Sequence, residues 1–186
     1  MSEKVVLERD DLRRTLRRIA HEIAEKNPDP EGLAIVGIHT RGALLARRLH
    51  AMLGELTAVE LPIGDIDISF YRDDVGAKFP AAQPVVHASH IDFDLADRTV
   101  ILVDDVLFTG RTVRAAIEAV FDYGRPRRVQ LAVLCDRGHR ELPFRPDYVG
   151  KNLPTAREER VNVRLEEVDG TDEVTISEPS PVEVAQ

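Results

Sequence analysis

The chain has one cysteine, Cys135, so no disulfide can form within it. It has no apolar run of about 18 residues, which excludes an ordinary membrane-spanning helix. Its opening, Met1-Ser-Glu-Lys, lacks the apolar stretch of a secretory signal peptide. It also lacks positive charge overall. Its 33 acidic and 25 basic residues leave a net charge of −8, which counts against binding nucleic acid as a bulk polyanion. No internal repeat is visible. These absences exclude collagen-like, disulfide-stapled and wholly disordered chains. A soluble, reducing, cytoplasmic setting is the expectation.

What is present is enough apolar material for one sizeable core. Of 186 residues, 43% are hydrophobic and 31% charged. The length predicts a single domain over residues 1–178 with a flexible tail at residues 179–186. The charge is uneven. From Arg157 to Gln186 there are nine acids and three arginines, so the first 156 residues carry only −2. Arg13, Arg14, Arg17 and Arg18 cluster early, and Arg137, Arg140, Arg145 and Lys151 follow later. Folding can gather them into one basic face. Ordinary solvated side chains are the plainer alternative.

Hydrophobic periodicity predicts an amphipathic helix over residues 9–26, with Leu12, Leu16, Ile19 and Ile23 on one face and Pro28 and Pro30 behind it. Residues 33–38 read as a strand covered on both faces, and residues 43–53 as a helix. Residues 56–61 read as a second strand, and residues 66–71 as an edge strand or hairpin arm. Residues 72–84 are polar, with glycine and prolines, and read as a mobile loop. Residues 99–103 form the clearest buried strand. A helix follows over about 111–123, with Gly124 placed to end it. Residues 128–135 are another central strand, and residues 161–165 and 174–176 are shorter candidates. Strand–helix alternation with short connections predicts an α/β fold with a mostly parallel sheet.

The sharpest signal is residues 100–112, VILVDDVLFTGRT. In open α/β folds, ligands bind beyond the carboxyl ends of parallel strands. Asp104 and Asp105 are poor core residues but good acceptors for two sugar hydroxyls, and oxygen ligands suited to a hydrated Mg²⁺. Thr109, Gly110, Arg111 and Thr112 begin a helix whose outward N–H groups and dipole favour an anion. A diol site beside a monophosphate cradle describes ribose 5-phosphate. An N-capped helix behind an aspartate-tipped strand would carry the same residues. The lysine of GxxxxGK[ST] is missing, and GxGxxG is absent.

Residues 100–112 resemble the phosphoribosyl pyrophosphate motif of type I phosphoribosyltransferases. Together with Arg18-Ile-Ala-His21, Asp67-Ile-Ser-Phe-Tyr-Arg-Asp-Asp74, Asp136-Arg-Gly-His-Arg-Glu-Leu-Pro143 and Gly150-Lys-Asn-Leu-Pro154, they resemble the PyrR family of pyrimidine operon regulators and uracil phosphoribosyltransferases. The resemblance covers roughly residues 5–177 and implies the type I phosphoribosyltransferase fold, with a small hood made from both chain ends. It implies that Thr40, Arg41 and Gly42 hold the pyrophosphate of the donor. It makes Arg72, in a loop that closes over the donor, a contact for leaving pyrophosphate. Mg²⁺ would neutralise that group, held by Asp104 and Asp105 largely through water or the donor. Uracil would be recognised around Asp136, Arg137 and Gly138, giving UMP and pyrophosphate.

The same resemblance places RNA contact at Arg18, His21, His139, Arg140, Arg145, Lys151 and Thr155. The implied partner is the leader of pyrimidine operon mRNA, with uridine nucleotides such as UMP or UTP as regulatory ligands and transcription attenuation as one route of control. A homodimer or dimer of dimers is the family expectation. The acidic C-terminal region sits awkwardly with RNA affinity. Two rivals stay open: a phosphoribosyltransferase for another base, and an RNA-binding regulator that senses nucleotides with little turnover. Cys135 lies in an apolar run with no adjacent histidine, so a buried thiol is expected rather than a nucleophile.

Overall fold

Five segments of the chain, three of them long apolar runs, assemble side by side into one parallel sheet. The computed structural model describes residues 3–71 and 88–178. Arg72, Asp73, Asp74, the loop expected at 72–84 and the tail expected at 179–186 lie outside those residues. The chain opens with strand β1 (Glu3–Leu7) and helix α1 (Arg9–Lys26), followed by β2 (Leu33–Ile38), α2 (Arg41–Thr57) and β3 (Ile63–Ile66). Then come β4 (Thr99–Leu107), α3 (Arg111–Tyr123), β5 (Arg128–Asp136) and β6 (Tyr148–Asn152). The chain continues with β7 (Arg160–Arg164), a short helix α4 (Glu166–Asp169) and β8 (Glu173–Ser177).

The large sheet has the order β3-β2-β4-β5-β6, and every neighbouring pair is parallel. Its central strands β2, β4 and β5 are apolar over most of their length because both faces are covered there. Alternate residues serve opposite sides. Ile35, Ile101, Val103 and Leu134 pack with Leu12, Leu16, Ile23, Leu45 and Leu49 beneath α1 and α2. Val36, Val100, Leu102 and Val133 pack with Val113, Ala116 and Val120 beneath α3. Each buried valine, leucine or isoleucine among them stabilises the fold by roughly 1.5–3 kcal/mol. Among the described residues, no helix is long and apolar enough to cross a membrane.

Helix α1 begins where the Glu8 N–H donates to Asp11 Oδ2 at 3.2 Å. It stops at Asn27, whose side-chain amide donates to Ile23 O, Gln130 Oε1 and Tyr148 OH at 2.9–3.0 Å. The small sheet, β1-β8-β7, is antiparallel and joins the two ends of the chain. It is the hood that the resemblance implies.

Three expectations are corrected. No strand occupies residues 56–61. Helix α2 runs on to Thr57, whose hydroxyl donates to Leu53 O at 2.8 Å, and Ala58 ends it with a φ of 53°. Residues 66–71 do not extend a strand, because the Ser69 N–H and hydroxyl both donate to Asp67 Oδ1 and fold the chain into a turn. Asp104 and Asp105 do not follow their strand but lie within β4, which continues to Leu107 on its pairing with β5. The pairing with β2 ends earlier, at Val103. Three strands escaped the sequence reading, β1, β3 and β6. Each is short and half polar, and is held by pairing with another strand rather than by its own pattern.

Candidate functional site

The strand order places a cleft. The chain leaves β2 to one side, forming β3, and returns on the other side as β4. The carboxyl ends of β2 and β4 therefore flank a topological switch point, where open α/β sheets bind ligands. A cleft of about 420 Å³ lies there, lined by residues 39–41 after β2, 67–69 after β3 and 104–106 of β4, together with Thr112 of α3.

Its floor depends on a close approach. A Cβ on Gly42 would stand 2.5 Å from Val103 O and 3.4 Å from Asp104 Oδ1. Only glycine lets the first turn of α2 press against β4 here. Two carboxylates and the positive end of a helix thus share one small volume. Asp104 is 6% exposed and accepts the Asp105 N–H at 2.9 Å through Oδ1. Asp105 Oδ1 accepts the Val106 N–H at 2.8 Å. Helix α3 starts at Gly110, whose φ of 93° lies in the left-handed region that glycine favours.

Thr40, Arg41, Asp104, Asp105 and Thr112, all named from the sequence, meet in this cleft. Gly42 lies under it. Thr109, Gly110 and Arg111 form the adjoining turn, where the Arg111 N–H reaches Thr109 Oγ1 at 3.4 Å. The Arg111 side chain points to Glu141, donating from Nε at 3.0 Å. Bonds from Arg111 and then Arg157 hold the Glu141 carboxyl below its usual range. Arg41 Nη2 donates to both carboxylate oxygens of Asp169, on the hood, at 2.9 and 3.1 Å.

The sequence reading gave no role to three polar residues of the cleft, His39, Asp67 and Ser69. His39 Nε2 donates to Asp65 Oδ1 at 2.6 Å, just outside the cleft, and His90 Nδ1 lies 3.2 Å from the same oxygen. Asp67, 8% exposed, and Ser69 line the opposite wall. His39 is the first residue of the turn 39–42 that follows β2, and that position was the available signal. Asp65 carries none, because only the pairing of β2 with β3 brings it near.

Asp136 is the last residue of β5, and with Arg137 and Gly138 just beyond it borders a second cleft of about 470 Å³, shared with Arg140 and residues 152–154. Asp136 accepts the Gly138 N–H at 3.0 Å and pairs with Arg140 at 2.5 Å. Arg137 is 7% exposed, with its guanidinium 4.1 Å from the centre of the Phe108 ring. It donates to Thr155 Oγ1, Ala156 O and Arg157 O at 3.0–3.2 Å. Burial lowers its pKa against a partial pull from Glu159. Its side chain therefore anchors the 155–157 segment.

The residues assigned to RNA fall into two neighbouring groups. Arg18, on α1, donates to Val149 O at 3.1 Å and Gly150 O at 2.5 Å, which sets it beside Lys151 of β6. His21 is exposed on the same helix, and Lys151 Nζ donates to Val6 O at 2.9 Å. In the second group, His139 Nε2 donates to Thr155 O at 2.7 Å. Arg140 donates to Phe108 O at 2.8 Å and Phe144 O at 3.0 Å besides Asp136, so it also braces its own loop. Arg145 is exposed one residue beyond Phe144. Cys135 is fully buried in β5, and burial, then the Asp105 charge, pushes its thiol up to about 12.

The family profile of the phosphoribosyl transferase domain matches residues 7–167. The bifunctional protein PyrR of Roseiflexus sp. strain RS-1 is 60% identical over 170 residues, covering 91% of this chain and 92% of that protein. The bifunctional protein PyrR of Deinococcus radiodurans is 58% identical over 178 residues, covering 96% of each chain. Among solved structures, the hypoxanthine phosphoribosyltransferase of Trypanosoma cruzi superposes with a TM-score of 0.69 at 19% identity, covering 95% of this chain and 97% of that one. At that identity the likeness speaks for the fold alone. A purine phosphoribosyltransferase from Pyrococcus horikoshii is similar at a TM-score of 0.58 and 28% identity, over 81% of this chain and 87% of that one.

Proposed function

The chain belongs to the PyrR family of bifunctional proteins and carries the phosphoribosyltransferase fold, and from that premise we propose that it transfers ribose 5-phosphate from phosphoribosyl pyrophosphate to N1 of uracil and binds the leader of pyrimidine operon mRNA under the control of uridine nucleotides. One observation carries the catalytic half. Asp104 and Asp105 share a cleft with the N-terminal turns of α2 and α3 at the switch between β2 and β4.

In this reading the α3 turn, residues 109–112, holds the 5-phosphate with N–H groups and threonine hydroxyls. Asp104 and Asp105 accept the ribose hydroxyls, and their charge favours the positive character that develops on the ring. Residues 40–42 receive the pyrophosphate. The C1–oxygen bond of the donor breaks, the bond from C1 to uracil N1 forms, and the N1 proton leaves. Arg72 is proposed to contact the departing pyrophosphate, in a segment outside the described residues. Backbone groups around Asp136 and Gly138 present themselves to the base, since the Arg137 side chain is engaged elsewhere.

The paired carboxylates are oxygen ligands of the kind Mg²⁺ takes. Among the described residues, no set of three or more such groups gathers to hold a metal by protein alone. Asp104 and Asp105 would hold such a cation largely through water or the donor, and it would supply positive charge against the leaving pyrophosphate.

The RNA half is supported by the two basic groups at α1, β6 and the 139–145 loop. The family expectation of a dimer or dimer of dimers belongs to the same proposal. The deciding experiment is UMP formation from uracil, phosphoribosyl pyrophosphate and Mg²⁺, with orotate, hypoxanthine and guanine in parallel. Turnover with uracil alone is expected. Turnover with a purine instead would transfer the assignment to another base. No turnover in a protein that still binds UMP would leave a nucleotide-sensing regulator of RNA.

A further inference from the structure

Arg41 lines the donor cleft, yet its charge is already engaged by the hood. The two partners are 128 positions apart in the chain. Both bonds that Asp169 accepts from Arg41 come from Nη2, while Arg41 Nε is buried and makes no hydrogen bond among the described residues. The carboxylate satisfies the guanidinium through one nitrogen only, and such a half-satisfied donor group is a poor resting arrangement.

Asp169 is itself held in place. Its Oδ2 accepts the Leu165 N–H at 2.9 Å, closing the turn of α4. Two helical turns along α2, Arg48 grips both sides of the same segment, bonding Glu167 at 2.6 and 2.9 Å and Asp172 at 2.7 and 2.9 Å. The hood thus presents a preformed carboxylate to the arginine of the turn that receives pyrophosphate in the function proposed above.

We propose that Asp169 tunes the pyrophosphate turn: its carboxylate occupies the Arg41 guanidinium in place of an oxyanion, and a diphosphate group arriving at residues 40–42 takes that guanidinium from it. This rests on the donor-site reading. It has two consequences. Diphosphate binds more weakly than an unengaged arginine would allow, because a like charge must be displaced. Binding also loosens the turn of α4, so occupancy of the cleft is transmitted to the hood.

The test is calorimetric titration of the whole chain with inorganic pyrophosphate and Mg²⁺, comparing wild type with Asp169→Asn. Asparagine keeps the shape and an acceptor but removes the charge. The variant is expected to bind about two- to fivefold more tightly, the range of a partly exposed ion pair. A merely structural Asp169 would give equal or weaker binding, and either result overturns the proposal. A wild-type chain that does not bind pyrophosphate would instead overturn the donor-site reading, and this inference with it. Hydrogen exchange on the wild type supplies a measurement independent of the variant. Amides of residues 165–170 are expected to exchange several-fold faster with pyrophosphate bound. Unchanged or slower exchange in a chain that binds pyrophosphate overturns the proposal.

Discussion

At Asp105 one carboxylate oxygen is tied to the Val106 N–H within the strand. That bond orients the group without needing its charge, so an amide can replace it structurally. Asp105→Asn is therefore expected to melt within a few degrees of the wild type while turnover falls by about 100-fold or more, the scale of losing an electrostatic stabiliser. Unchanged turnover in steady-state assays would remove Asp105 from the reacting site. Cys135 illustrates the opposite case. Fully buried and pushed up to about 12, it holds almost no thiolate at neutral pH. A thiol reagent at pH 8 is expected to label it only as fast as the protein opens, and rapid labelling of native protein would contradict the burial. The sign of the linkage follows. The folded state keeps the thiol protonated above its ordinary 9.0, so this site subtracts stability as pH rises from about 9 toward about 12. The two carboxylates were legible because they are adjacent in sequence, and the cysteine because its neighbours are apolar. The His39–Asp65 and Arg41–Asp169 pairs were not, since their members lie 26 and 128 positions apart.

At the scale of elements, α2 does three tasks at once. Its buried face covers the sheet, its first turn abuts Asp104, and Arg48 on its flank clasps the hood. Bonds from Arg48 lower the Glu167 carboxyl against its burial; Asp172 feels burial more strongly, yet Arg48 and the Glu166 N–H still bring it below its usual value. Arg48→Ala leaves those two carboxylates unpartnered by it and is expected to cost about 1–3 kcal/mol, read as a lower melting temperature. A melting curve unchanged to within a degree would mean that the clasp contributes nothing. Because both pKa values are depressed in the fold, this stabilisation is present above the ordinary carboxylate range near 4. It is lost as pH falls through the lower folded values, so the variant and wild type should converge in acid. Most of these elements were readable from apolar spacing. The end of α2 was not, because Leu56, Ala58, Val59 and Leu61 make a short, largely apolar stretch before Pro62 that reads as a strand. Helical continuation settled it, leaving Leu56 41% exposed.

For the whole molecule, the net charge of −8 is a misleading guide to its surface. Much of the C-terminal acidity is met by arginines: Glu166 by Arg9, Glu167 and Asp172 by Arg48, Asp169 by Arg41, and Glu173 by Arg164. The expectation that this region opposes RNA is weakened accordingly, because paired charges project little field. RNA affinity is expected to fall as salt rises. Lys151→Ala should weaken binding about equally across leader sequences and reduce the slope of log K against log salt by about 1. A filter-binding titration that shows the full wild-type slope in the variant would take Lys151 out of phosphate contact. Arg140 is a less clean probe, since its bonds to Asp136, Phe108 and Phe144 make it part of the loop's own structure.

By itself the sequence determined the parallel α/β class, the carboxylate pair and the turn at residues 109–112 that starts α3. Apolar runs, helical spacing and the DDVLFTGRT stretch are local, and each carries its physical reason within a few residues. Only the tertiary structure decided where β1 and β6 pair, since such short half-polar strands owe their existence to a partner already in place. It alone placed Asp65 beside His39 and turned the acidic C-terminal segment into a clasp on α2. Those arrangements depend on strand order and on the meeting of chain ends, which no local pattern encodes.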